Sequence, residues 1–248
     1  MRNVTEMVKH LIIINILFFV GTLALGDLSY KYLALYFPEN PNFHYWQPFT
    51  HMFMHGGFMH IFFNMFALYS FGSALEQMWG SQKFLFFYIS CGLGAALLHI
   101  GVNYYYYQDG LNTLLANGFS KLEILKLLNE GKIDTRWQEL LTVSDFKNFT
   151  SAYLGTAVGA SGAIYGIIVA FAFLFPNAEL ALMFIPIPIK AKYFVPGLVL
   201  VDLYLGISGE SIFGGGGIAH FAHVGGALFG FLIMWYWKKN QFNSNRWN

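Results

Sequence analysis

Charge is what this sequence has least of. Only 11% of its 248 residues are Asp, Glu, Lys or Arg, against about a quarter in a soluble domain. That excludes an ordinary soluble fold. A net charge of +1 leaves no basic footprint for nucleic acid. The chain has a single cysteine, Cys91, so no intramolecular disulfide can form and nothing points to an oxidising compartment. Glycine patterns of the P-loop or dinucleotide-binding type are absent, as are a Cys-x-x-Cys pair and any internal repeat. In their place stand apolar residues, 56% of the chain, with 27 phenylalanines.

The apolar residues fall into runs. Six approach the ~20 residues that a bilayer core requires: roughly 9–30, 58–78, 83–105, 155–175, 191–208 and 218–238. The expected fold class is therefore an all-α membrane protein of six transmembrane helices, forming one membrane domain over 1–248. The first run could instead be a signal peptide, with Arg2 and Lys9 at its start and small residues near Gly26. Its continuation through Leu33 and Leu35 is long for a cleaved segment and favours retention. Arg2, Lys9, Lys83, Lys190, Lys192, Lys238, Lys239 and Arg246 flank alternate span ends. Lys31 alone stands opposite once the segment between spans three and four is set aside. This bias puts both termini in the cytoplasm, and the expected location is a bacterial plasma (inner) membrane, crossed several times. The segment set aside, 106–152, interleaves Lys121, Glu123 and Lys126 with Leu122, Ile124, Leu125, Leu127 and Leu128, as an amphipathic helix does. Gly131 reads as a stop and 142–145 as a loop or restart. An extracytoplasmic insertion is expected, lying on the membrane surface or over the bundle.

Polar residues inside spans are functional candidates by default, and here they agree on depth. Span two opens with HMFMHGGFMHIFFN, carrying His51, His55, His60 and Asn64; span four with GTAVGASG, carrying Ser161; span six with IAHFAHVGG, carrying His220 and His223. With the termini inside, all three spans begin on the outer face, and each polar residue lies within ~10 Å of that end. Gly155, Gly159, Gly162 and Gly166 in span four, and Gly226 and Gly230 in span six, let helix backbones approach closely in lipid. Such an approach brings Ser161 towards His223 or His220, the minimum for a nucleophile and its base. His60 and Asn64 are four residues apart, share a helix face and can donate to an oxyanion, as can the Ser161 N–H at a helix start.

Three motifs now coincide: Gly159-Ala160-Ser161-Gly162 with Tyr165 a turn on; His55, His60 and Asn64 at HxxxxHxxxN spacing; and Ala222-His223 with Gly226 and Gly230. Glu76, in GSALEQMWG, also fits. In these the chain resembles the rhomboid intramembrane serine proteases. The resemblance implies a Ser–His dyad without a third acid: Ser161 as nucleophile, His223 as general base, and Tyr165 stacked on the His223 ring. It implies an oxyanion held by His60, Asn64 and the Ser161 amide within an outward-opening, watered cavity. His51 and His55 would retain water or brace the first loop. Span five and the glycine loop 214–217 would gate the entry of a substrate helix. Substrates would be transmembrane proteins in the lipid bilayer, with no cofactor. Two departures stand out: Trp46-Gln47 replaces the family's common Trp-Arg, and the 106–152 insertion is long.

The remaining polar residues read as structural. His220 reads as a helix-end residue, His99 as a satisfied core group, Tyr104, Tyr105, Tyr106 and Tyr107 as an interfacial belt, and Asp202 as a lone acid able to anchor hydrogen bonds, with no functional role assigned. A metal or haem protein built on the histidines is the chief rival, but it leaves Ser161 and Asn64 unexplained. A client-binding relative without activity would have lost Ser161 or His223. A transporter would show an internal repeat.

Overall fold

The computed structural model describes residues 4–182, 185–209 and 218–241. Eight helices matter for the site: α1 (Glu6–Leu25), α2 (Phe58–Trp79), α3 (Ser81–Ala116), α4 (Lys121–Asn129), α5 (Val143–Leu154), α6 (Ser161–Leu174), α7 (Ala191–Ser208) and α8 (Ile218–Gln241). Among the described residues α1, α2, α3 and α7 are each long and apolar enough to cross a membrane, and α6 is apolar but only 14 residues long. With α8, 24 residues, they make a six-helix membrane bundle. α3, α6 and α8 pack on one another at its centre, with α7 against α8. A short antiparallel hairpin, β1 (Glu179–Leu182) and β2 (Ile185–Lys190), leads from α6 into α7, an element the periodicity did not suggest.

Three span boundaries differ from expectation. The first run does not continue to residue 30. Gly26, at φ +54°, ends α1, and a separate helix runs over Asp27–Leu33. The third does not stop near 105. α3 is one helix of 36 residues, ~54 Å long at 1.5 Å per residue. Its far half joins α4 and α5 in a second core around Tyr107, Leu111, Leu114, Ile124, Trp137 and Phe149. Ser120 and Thr142 cap α4 and α5, their hydroxyls accepting from the Glu123 and Asp145 amides. Residues 142–145 are thus a helix start. The fourth span does not begin at 155, because 155–160 is not helical and α6 starts at Ser161.

Glu76 ties the opposite end of the bundle. Its carboxylate accepts from the Met7 and Val8 amides at 2.8 and 2.9 Å and from the Ser81 hydroxyl at 2.6 Å. It thereby satisfies free N–H groups in the first turn of α1 and holds α1 to α2 and to the start of α3.

The central contact is made by glycine. A Cβ at Gly226 would lie 1.8 Å from the Gly162 carbonyl oxygen, and one at Gly230 would lie 2.6 Å from Gly166 Cα. No side chain fits between α6 and α8. Gly162 and Gly166 are equally confined on the α3 side, by Ala95 and Cys91. Gly226→Ala should therefore force the helices apart, a loss of about 1–3 kcal/mol or more for overpacking. Thermal unfolding in detergent should show a lowered Tm, whereas Gly101→Ala, inside a helix with nothing within 4 Å of its Cβ, should not lower it.

Candidate active site

Ser161 is the first residue of α6, and the chain reaches it through an extended segment clamped by the first loop. Leu35 and Ala157 exchange both backbone hydrogen bonds at 2.9 Å, and the Gly159 amide donates to the His51 carbonyl at 2.9 Å. Gly159, at φ +131°, has no room for a side chain: a Cβ there would meet His60 Nε2 at 2.8 Å. The Ser161 amide is at a helix N-terminus, where N–H groups have no partner within the helix.

Ser161 Oγ lies 2.9 Å from His223 Nε2. The two come from α6 and α8, and the glycine contact beside them, Gly162 against Gly226, fixes their separation. The Tyr165 ring stacks on the His223 ring, with centroids 4.4 Å apart and planes inclined by 9°. The other face of the site belongs to α2. His60 Nδ1 accepts from the Gly56 amide at 3.4 Å, which puts the imidazole proton on Nε2, the nitrogen turned towards Gly159 and Ser161. Asn64, one turn below His60, is buried, and its Nδ2 has no hydrogen-bond partner among the described residues. An unpaired buried amide donor is uncommon. Among the described residues, the Ser161 amide, His60 Nε2–H and Asn64 Nδ2 are thus three donors without a partner of their own on the elements that border the site.

His51 and His55 lie further out, in the first loop, and both are buried. His51 donates Nδ1–H to the Gln47 carbonyl at 3.0 Å. His55 packs edge-on against the His60 ring at 5.1 Å. Gln47 is fully buried and braces the loop: its amide donates to the Asn42 and Lys31 carbonyls, and its oxygen accepts from the Tyr36 amide. The glycine loop 214–217 lies outside the described residues.

The sequence presents Asp202 as a lone acid able to anchor hydrogen bonds, which it does, and His220 as a helix-end residue. The structure brings both into the site. Asp202 Oδ1 faces His223 Nδ1 at 3.1 Å and His220 Nδ1 at 2.5 Å, and Tyr165 donates its hydroxyl to Oδ2. A Ser–His pair lacking an acid is thus not what the geometry presents. The signal was present, since an acid inside an apolar span is a functional candidate, but its partners lie 18 to 37 residues away on other helices. His99 accepts from the Asn103 amide at 3.2 Å within α3. Among the described residues, Asp202, His220 and His223 are the group whose ligand atoms lie close enough, within 4.8 Å, to hold a metal ion. The histidine set of the metal reading is not assembled.

Burial holds His51 and His55 neutral, lowering their pKa values from 6.5 to about 4 and about 3; the nearby His60 adds to the effect at His55. Both groups bind a proton more weakly folded than unfolded. The stability they confer is therefore complete above about pH 6.5 and is lost as pH falls towards 4 and then 3. Tm in detergent should fall between about pH 7 and about pH 4, and less steeply in His51→Asn, which keeps a donor for the Gln47 carbonyl. A wild-type Tm flat across that range would contradict this account.

Comparison with known proteins agrees with this architecture. The family model described as "Rhomboid domain" matches residues 42–124 and 139–240. The chain is 26% identical over 187 residues to "Rhomboid protein 1, mitochondrial" of Saccharomyces cerevisiae, covering 75% of this chain and 40% of that one. It is 27% identical over 199 residues to "Rhomboid protease AarA" of Providencia stuartii, covering 76% and 54%. A shorter stretch of 53 residues is 38% identical to "Rhomboid protease GluP" of Bacillus subtilis, covering 21% of this chain and 10% of that one. The chain thus spans about half or less of the length of these relatives. Because the family match runs from the first loop through every element that bears a site residue to the end of α8, this integral membrane protein belongs to the rhomboid family.

Proposed function

We propose that the protein is an intramembrane serine endopeptidase that cleaves transmembrane segments of other membrane proteins. The observation that carries the reading is the 2.9 Å approach of Ser161 Oγ to His223 Nε2, within hydrogen-bond reach for proton transfer. In this reading Ser161 Oγ attacks the scissile carbonyl carbon while His223 Nε2 takes the hydroxyl proton. The oxyanion is held by the Ser161 amide, His60 and Asn64. Collapse breaks the C–N bond, and His223 returns the proton to the leaving nitrogen. Water then attacks the acyl ester by the same path, releasing the carboxylate product and restoring Ser161.

A helical peptide bond is hidden by its own hydrogen bonds, so the favoured substrates are single-span proteins whose helix unwinds easily, with a small residue before the cut. Cleavage falls at or just inside the membrane boundary opposite the termini. The Lys and Arg distribution supports both termini in the cytoplasm, for a protein of the bacterial plasma membrane, with α7 beside the entry path. Segment 106–152 would then stand on the outer side.

Fluorophosphonate labelling of the detergent-solubilised protein tests the nucleophile. Wild type should label, Ser161→Ala and His223→Ala should not, and EDTA should make no difference. Loss of activity with EDTA would favour instead a metal held by Asp202, His220 and His223. In a cleavage assay, His60→Ala or Asn64→Ala should each lower kcat by about 10²–10³-fold, as expected for one oxyanion donor, with KM little changed.

A further inference from the structure

Asp202 sits on α7, a helix that supplies none of the residues assigned to the chemistry above. Its carboxylate is 5% exposed in a bundle where a lone ionised group is strongly disfavoured. Three side chains converge on it. Tyr165 of α6 donates to Oδ2, and His220 and His223 of α8 both set Nδ1 against Oδ1. An ionised carboxylate only accepts, so each imidazole carries its proton on Nδ1. For His223 this decides the state of the other nitrogen. Nε2, facing Ser161 Oγ, keeps its lone pair and is ready to accept the serine proton. Tyr165 contributes twice, stacking on the His223 ring and engaging the carboxylate oxygen that His223 does not use. With His220 and Tyr165 on the remaining acceptor sites, the carboxylate cannot turn away from His223.

We propose that Asp202 is the positioning residue of this site: it holds His223 in the Nδ1–H tautomer and stabilises the imidazolium formed when Ser161 loses its proton. The working unit is then Ser161–His223–Asp202 rather than a pair. The inference rests on the protease reading. Asp202 stays ionised throughout; the single proton moves from Ser161 Oγ to His223 Nε2 and on to the leaving nitrogen. His220 and Tyr165 are the donors that keep the carboxylate in place.

Among the described residues, the polar and titratable groups around His223 are Asp202 on α7, His220 on α8, Tyr165 and Ser161 on α6, and His60 on α2. α3 presents Ala95 and Leu98 to α8. Asp202→Asn keeps an acceptor for the histidines and removes the charge. Against a single-span substrate in detergent, kcat should fall on the order of 10²–10⁴-fold, with KM changed less than ~3-fold. Tyr165→Phe, which keeps the stack and removes one hydrogen bond, should lower kcat less.

Nitrogen-15 NMR of histidine-labelled wild type gives a reading that no variant's folding can obscure. In the resting enzyme, His223 should be protonated at Nδ1 and bare at Nε2. The opposite tautomer overturns the proposal, as does an unchanged kcat in Asp202→Asn. Raised activity in that variant also overturns it and makes the contact a restraint on α7. If Ser161→Ala or His223→Ala still cleaves, the protease reading fails and this inference with it. If those two are dead and Asp202→Asn is unaffected, this inference alone is lost.

Discussion

The backbone contact between α6 and α8 is the constraint on which the site depends. Hydrophobic force does not draw helices together in lipid, so their association rests on close packing. Gly226 meets the Gly162 carbonyl and Gly230 meets Gly166, at separations that any side chain would prevent. Ser161 precedes Gly162 by one residue and His223 precedes Gly226 by three. The same contact that joins the helices therefore sets the 2.9 Å between Oγ and Nε2. Widening that contact by the radius of one methyl group would part Ser161 and His223 beyond hydrogen-bond reach, so the packing of the fold and the geometry of the site rest on the same contact.

Close packing fixes two helices but not the loop in front of them, and a different device does that. The second core, built on the far half of α3, takes in Phe37 of the first loop, which packs against Tyr104, Tyr107 and Tyr153. Asn40 donates to the Tyr153 carbonyl, and the Tyr153 hydroxyl donates to Asn129. From there the order passes inward through Leu35–Ala157 and His51–Gly159 to the start of α6. On its other side α5 reaches α7, where Lys147 donates to the Gly209 carbonyl at 2.7 Å, a favourable place for a cation at a helix C-terminus. The insertion thus touches both the loop that holds the extended segment leading to Ser161 and the end of the helix that carries Asp202.

The bundle was legible in the sequence because its signals are local. Apolar run length marks spans, and Gly162, Gly166, Gly226 and Gly230 mark which spans touch. What failed was non-local. Residues 155–160 have the apolar composition of a span, but Ala157 is paired with Leu35, and nothing near it in sequence announces that strand contact. Gln47 was noted for the arginine it replaces, yet its role depends on carbonyls of Lys31 and Asn42 that only the folded loop assembles. Asp202 was visible as an anomaly and His220 as a histidine outside every motif. Taken singly, each had a bland explanation. They acquire meaning only as a pair, across an α7–α8 contact for which no small-residue spacing gave warning.

That pair also explains why an acid is tolerated there at all. An ionised carboxylate taken out of water is stable only when its lone pairs are met by good donors, and two histidines and a tyrosine meet them. A single donor would serve to orient His223, but it would leave the rest of the charge unsatisfied. The additional donors keep the group ionised, and an ionised group is what fixes the imidazole tautomer. Because the carboxylate comes from α7 and its donors from α6 and α8, the arrangement is complete only with α7 seated against its neighbours. Displacing α7 would strip the carboxylate of its donors and His223 of its partner together.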